Sequence, residues 1–223
     1  MTETRIHIFI GAYGSGKTEA AVNFAVRERS AGRRVALVDL DIVNPYFRSR
    51  DAAEALAAPG LEVISSSPGM ELADLPALSP RITGALRDPG LAVVFDVGGD
   101  PAGARALGRF GPLLREAAPE VWLVANPYRP ETRTPAAIAR LADALSAAGG
   151  QRVTGLFANP NLGAETTVET VVAGRRVVDE AAALLGLPVA LTGVRADLAG
   201  AAAARLGSIL PLRRYMLLPW ESG

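Results

Sequence analysis

Short apolar runs alternate along the chain with longer stretches of helical period. Residues 6–10, 35–40, 61–65, 92–97, 121–126, 153–158 and 188–191 are rich in Val, Ile, Leu and Phe, and most are near-continuous rather than alternating. Strands have that character when helices cover both faces of a parallel sheet. Between them, residues 18–29, 135–148 and 165–185 carry apolar side chains at helical spacing. Gly32 and the pair Gly149-Gly150 stand where these helices must end, and glycine enters the left-handed conformation there at little cost. The alternation predicts an α/β domain: three layers, a mostly parallel doubly wound sheet, and helices on both faces. Neither a repeat nor a low-complexity linker divides the chain, so residues 1–223 are expected to form a single domain. Ala-rich stretches at 52–58 and 201–204 read as helix formers. Residues 65–80 (SSSPGMELADLPALSP) fit the scheme poorly: three prolines and a glycine predict a long surface loop, either a partner or substrate loop or a cover for a sheet edge.

Composition narrows the chemistry. The 223 residues include 23 Lys+Arg against 23 Asp+Glu, one His and no Cys. Disulfides, thiolate zinc sites, protein-held iron–sulfur clusters and a Cys nucleophile are therefore excluded. His7 is the only histidine and lies in an apolar strand, so it reads as structural rather than as part of a triad or metal site. Balanced charge gives no general footprint for nucleic acid. No basic segment followed by a long apolar run opens the chain, and no apolar run approaches the roughly 18 residues that span a bilayer. A soluble cytoplasmic protein is expected.

One motif decides the class. Gly11-Ala12-Tyr13-Gly14-Ser15-Gly16-Lys17-Thr18 matches G-x-x-x-x-G-K-[ST], directly after a predicted strand and before helix formers. Glycines let successive N–H groups turn inward around a phosphate at a helix N-terminus. Lys17 adds a point charge for the outer phosphates, and the Thr18 hydroxyl suits Mg²⁺. Gly14, Ser15, Gly16, Lys17 and Thr18 are thus nucleotide-binding candidates. A second element, Val38-Asp39-Leu40-Asp41, puts two carboxylates on one side at the C-terminal end of a strand, where ligands of open α/β sheets bind. Such a carboxylate can orient or deprotonate water, or hold the hydration shell of magnesium. The third, Phe95-Asp96-Val97-Gly98-Gly99-Asp100, ends an apolar strand in an acid fit for the magnesium side, with glycines that let the backbone approach a terminal phosphate.

With these three elements in order, the chain resembles the SIMIBI class of P-loop NTPases, and within it the CobQ/CobB/MinD/ParA group that includes Mrp and the nitrogenase iron protein. A closer resemblance, through GAYGSGKT, DLDIVNPYFRSR, DLPALSP and DVGGD, is to uncharacterised bacterial ATP-binding proteins. The resemblance implies a water-positioning role for Asp41, a magnesium-side role for Asp96 and a γ-phosphate-sensing role for Gly99. MinD-like loops carry an extra lysine that reaches across a dimer; Ala12 stands at that position, followed by Tyr13. A homodimer would then need another cation, for which Arg48, Arg50, Arg105 and Arg109 are candidates. In the resembled group an Asn after a late strand contacts the base. Asn126 fits that position better than Asn159, and no Asn-Lys-x-Asp sequence supports guanine. The tail 209–220 brackets seven residues between Pro211 and Pro219, too few for a membrane-surface helix, and is expected to pack on the domain.

The leading expectation is a Mg²⁺-dependent ATPase, with Lys17 and Asp41 as catalytic residues, whose nucleotide state switches a protein partner or cargo. Nucleic acid and membrane are not expected partners. The alternatives are an ATP-dependent small-molecule kinase or ligase of the dethiobiotin-synthetase type, and a non-hydrolysing nucleotide-gated assembly factor.

Overall fold

The computed structural model describes residues 4–40, 61–65 and 80–215. Eight strands form one sheet: β1 (Ile6–Ile10), β2 (Arg34–Leu40), β3 (Leu61–Ser65), β4 (Leu91–Val97), β5 (Glu120–Ala125), β6 (Gly155–Ala158), β7 (Val189–Arg195) and β8 (Ile209–Leu212). Their order is β3-β2-β4-β1-β5-β6-β7-β8, and every described pairing is parallel. The chain leaves β1 for one side of the sheet and later returns to the other, so the order reverses beside β1. That reversal opens a crevice at the C-terminal strand ends.

Successive residues of each inner strand face opposite layers, and both layers are apolar, which is why the strands read as unbroken runs. On one face Ile8, Val93, Phe95 and Leu123 pack with α2 (Pro80–Arg87), α3 (Pro101–Gly108), α4 (Gly111–Ala117), α5 (Pro135–Gly149) and α6 (Val168–Leu185). On the other, Phe9, Leu37, Val94, Trp122 and Phe157 pack with α1 (Lys17–Ser30). Among the described residues α1 alone supplies helical side chains to that second core. A seventh helix, α7 (Ala199–Leu206), shares a small apolar cluster with α6.

Local signals explain the boundaries. Thr134 caps α5 by accepting from Ala137 N, Pro135 follows it, and Gly150 ends the helix at φ 63°. Thr167 and Thr170 form a reciprocal capping box on α6, which Gly186 closes at φ 64°. The predicted strand 153–158 is shorter in the structure because Val153 N donates to the Ser146 hydroxyl and Thr154 Oγ1 accepts from Val121 N, outside the ladder. Residues 209–212 form an edge strand, and the following backbone lies against α1: Arg213 N donates to Asn23 Oδ1 and Tyr215 N to a Glu19 carboxylate oxygen. The tail therefore packs on the domain through Tyr215. The Pro-rich segment at 66–79, the Ala-rich segment at 52–58 and residues 216–223 lie outside the described residues. No described helix is long and apolar enough to cross a membrane.

Candidate nucleotide site

The loop at 11–18 joins the C-terminal end of β1 to the first turn of α1. Gly14 and Gly16 have φ of 72° and 84°, conformations that side chains rarely adopt, and Ser15 N donates to Ala12 O at 3.1 Å. Positive-φ glycines separated by one residue turn the intervening amides toward a common centre, the geometry of an anion nest. Lys17 and Thr18 open α1 and are both buried. The Ser15 hydroxyl is buried without a hydrogen-bond partner among the described residues, 2.9 Å from where a Cβ on Gly11 would lie.

Two carboxylates stand beside this loop. Asp39 on β2 and Asp96 on β4 are partners in the same register pair, and Asp96 is also paired with Phe9 on β1. Both are buried. Asp41 follows them in sequence but lies outside the described residues, as do Arg48 and Arg50. Gly99 is pressed against the loop itself. A Cβ there would fall well inside van der Waals contact with the Gly11 carbonyl oxygen and 2.9 Å from the Ala12 carbonyl carbon. The segment after β4 thus touches the phosphate loop backbone to backbone. Asp100 has a structural task that sequence reading did not assign: it caps α3, accepting from Gly103 N at 2.7 Å. Arg105 and Arg109 are exposed on α3 and just after it.

The other side of the loop is built by the β5 and β6 ends. Asn126 uses its carboxamide within the protein: Nδ2 donates to Asn161 O, while Oδ1 accepts from Tyr128 N and Asn161 N. Asn159, not Asn126, reaches the phosphate loop, donating from Nδ2 to Ser15 O at 2.7 Å. Arg129 also reaches it, donating from Nε to Gly14 O at 3.2 Å. Neither contact was visible in the sequence, because both join loops more than a hundred residues apart. Ala12 is buried and Tyr13 is 69% exposed, so the outward position at the loop tip belongs to the phenol.

His7 lies at the opposite end of β1, its ring tilted against those of Phe24 and Trp122, which also meet each other, and its Nδ1 is 3.4 Å from a Glu120 oxygen. It helps to line a cavity of about 500 Å³ at the N-terminal strand ends, remote from the phosphate loop.

Among solved structures, the chain is similar to the cell division protein FtsY of Thermotoga maritima, with TM-score 0.60 and 22% identity over 87% of this chain and 63% of that one. It is also similar to the signal recognition particle 54 kDa protein of Aeropyrum pernix in complex with GDP, with TM-score 0.52 and 20% identity over 86% of this chain and 42% of that one. A third match is a nucleotide-binding protein of Archaeoglobus fulgidus in complex with ADP, with TM-score 0.50 and 19% identity over 90% and 86%. The fold is that of SIMIBI-class P-loop NTPases. No protein-family model matches the chain, and no curated protein does. The chain spans about three fifths of the FtsY chain of Thermotoga maritima. The P-loop at 11–18 follows the first strand and stands at the reversal of strand order, where this fold class places nucleotides.

Proposed function

We propose that this protein binds ATP with Mg²⁺ and hydrolyses it, and that the nucleotide state switches its hold on a protein partner. What carries this reading is one juxtaposition: a positive-φ glycine loop heading α1, beside two buried carboxylates paired across β2 and β4. Thr18, Asp39 and Asp96 offer the oxygen donors that a hard divalent cation takes, with Thr18 and Asp96 as the metal-holding pair. Bound there, magnesium would screen phosphate charge as a Lewis acid. The amides of Gly14 to Thr18 and the Lys17 ammonium hold the phosphates and stabilise charge that grows on them in the transition state. Asp41, two residues beyond Asp39, positions the attacking water. Gly99, tight against Gly11, registers the terminal phosphate: whatever moves one backbone moves the other.

Adenine is favoured over guanine because the chain reads Asn159-Pro160-Asn161-Leu162 after β6, without the guanine-reading Asn-Lys-x-Asp. Asn126 belongs to the base side, where it sets the β6 loop through Asn161. The protein acts as a single cytoplasmic domain, and a homodimer, if formed, presents Tyr13 rather than a lysine at the loop tip. Calorimetry with MgATP and MgGTP, followed by phosphate release, tests this reading. Wild type is expected to bind MgATP more tightly. Lys17→Ala should abolish measurable binding, and Asp41→Ala should keep binding but lower turnover about a hundredfold. Unchanged binding in Lys17→Ala, or unchanged turnover in both variants, would overturn it.

A further inference from the structure

Sheet order fixes which way a nucleotide must lie. Lys17, Thr18, Asp39, Asp96 and Gly99 mark the terminal-phosphate end, on the side of β1 that carries β4 and β2. The nucleoside must then extend toward β5, β6 and β7 on the other side. Arg129 is the exposed cation that touches the loop there.

Its backbone is pinned on both sides. Arg129 N donates to Asn126 O at 2.9 Å, Thr132 N to Arg129 O at 3.1 Å, and the Thr132 hydroxyl to Asn126 O. Pro127 and Pro130 flank it and fix their own φ. The guanidinium lies over Gly14, where a Cβ would be 3.5 Å from Nε and 3.7 Å from Cζ. Only Nε has a protein acceptor among the described residues; the four terminal N–H groups have none. A loop whose amides converge inward turns its carbonyls outward. A guanidinium bonded to the Gly14 carbonyl is therefore outside the phosphate nest, on the nucleoside side.

We propose that Arg129 is the surface on which the nucleoside packs: a planar cation, held flat by Gly14 O, that stacks on the base and offers its terminal N–H groups to the ribose. Guanidinium planes stack well on aromatic faces and tolerate either purine. The inference rests on the nucleotide-binding reading above and adds a determinant for nucleosides over bare polyphosphate.

The test compares MgATP, MgGTP and magnesium tripolyphosphate by calorimetry on wild type, Arg129→Ala and Arg129→Lys, with melting curves to establish that each variant is folded. Arg129→Ala should weaken both nucleotides about tenfold and leave tripolyphosphate unchanged. Arg129→Lys, which keeps the charge but loses the plane, should recover only part of that loss. Equal weakening of all three ligands would make Arg129 a phosphate contact and overturn the proposal, as would wild-type affinity for nucleotides in Arg129→Ala. Wild type that binds tripolyphosphate as tightly as MgATP would also overturn it while leaving the phosphate loop intact. Wild type that binds none of the three would remove the underlying reading itself.

Discussion

At position 99 there is no room for even a methyl group. The atoms it would meet are backbone, the Gly11 carbonyl and the start of the loop, and they cannot swing aside as a side chain could. Gly99→Ala is expected to lower stability by about 1–3 kcal/mol and to displace the P-loop. Urea denaturation reads the first effect, and loss of MgATP affinity at a temperature where the variant is folded reads the second. Full retention of both would mean that the two backbones are not coupled. The importance of this glycine could be read from the chain, since Asp96-Val97-Gly98-Gly99 is a local signal. Lys17 and Thr18 were legible for the same reason. The loop contacts of Asn159, which the sequence offered only as a lesser base candidate, and of Arg129 were not: each acts on a carbonyl in a loop far away in sequence, and an Asn or Arg near a proline has many ordinary uses in turns.

Elements with their own start and stop chemistry were the ones the sequence revealed. The helices at α1, α5 and α6 have caps or terminal glycines and long apolar faces. The short helices α3 and α4 were missed because they are seven or eight residues long and rich in Gly and Pro, and their stability comes from packing rather than propensity. Strand β8 was missed because its proline and flanking arginines hide a four-residue run. For α3 the cap matters most. Asp100 supplies the accepting oxygen for Gly103 N, and the turn is tight: a Cβ on Gly103 would lie 2.6 Å from Gly98 Cα. Asp100→Ala should cost about 1 kcal/mol, whereas Asp100→Asn, an equivalent cap, should cost a few tenths. Equal losses in chemical denaturation would show that the cap is not what holds this segment.

Taken whole, the molecule is polarised along its strands. Phosphate-binding chemistry gathers at the C-terminal ends, while the N-terminal ends hold His7, Glu120 and the cavity under α1. Burial pushes the Glu120 carboxyl above the usual glutamate range. The sign follows: the folded state holds this proton more tightly than the unfolded chain does, so its contribution to stability is complete below the unfolded pKa and is lost as pH rises through the folded one. Melting temperatures of wild type and Glu120→Gln, compared from about pH 4 to about pH 7, should show wild type losing ground to the variant as pH increases. Parallel curves would remove Glu120 as the source. The two ends share β1 and α1, so the same core that packs the aromatic cluster around His7 also anchors the two elements that the P-loop joins.

At the rim of the sheet, Pro211 sits mid-way along β8 and has no N–H to offer a further strand. The described ladder therefore lacks a donor in the middle of that border, which disfavours the pairing of copies of this protein along it.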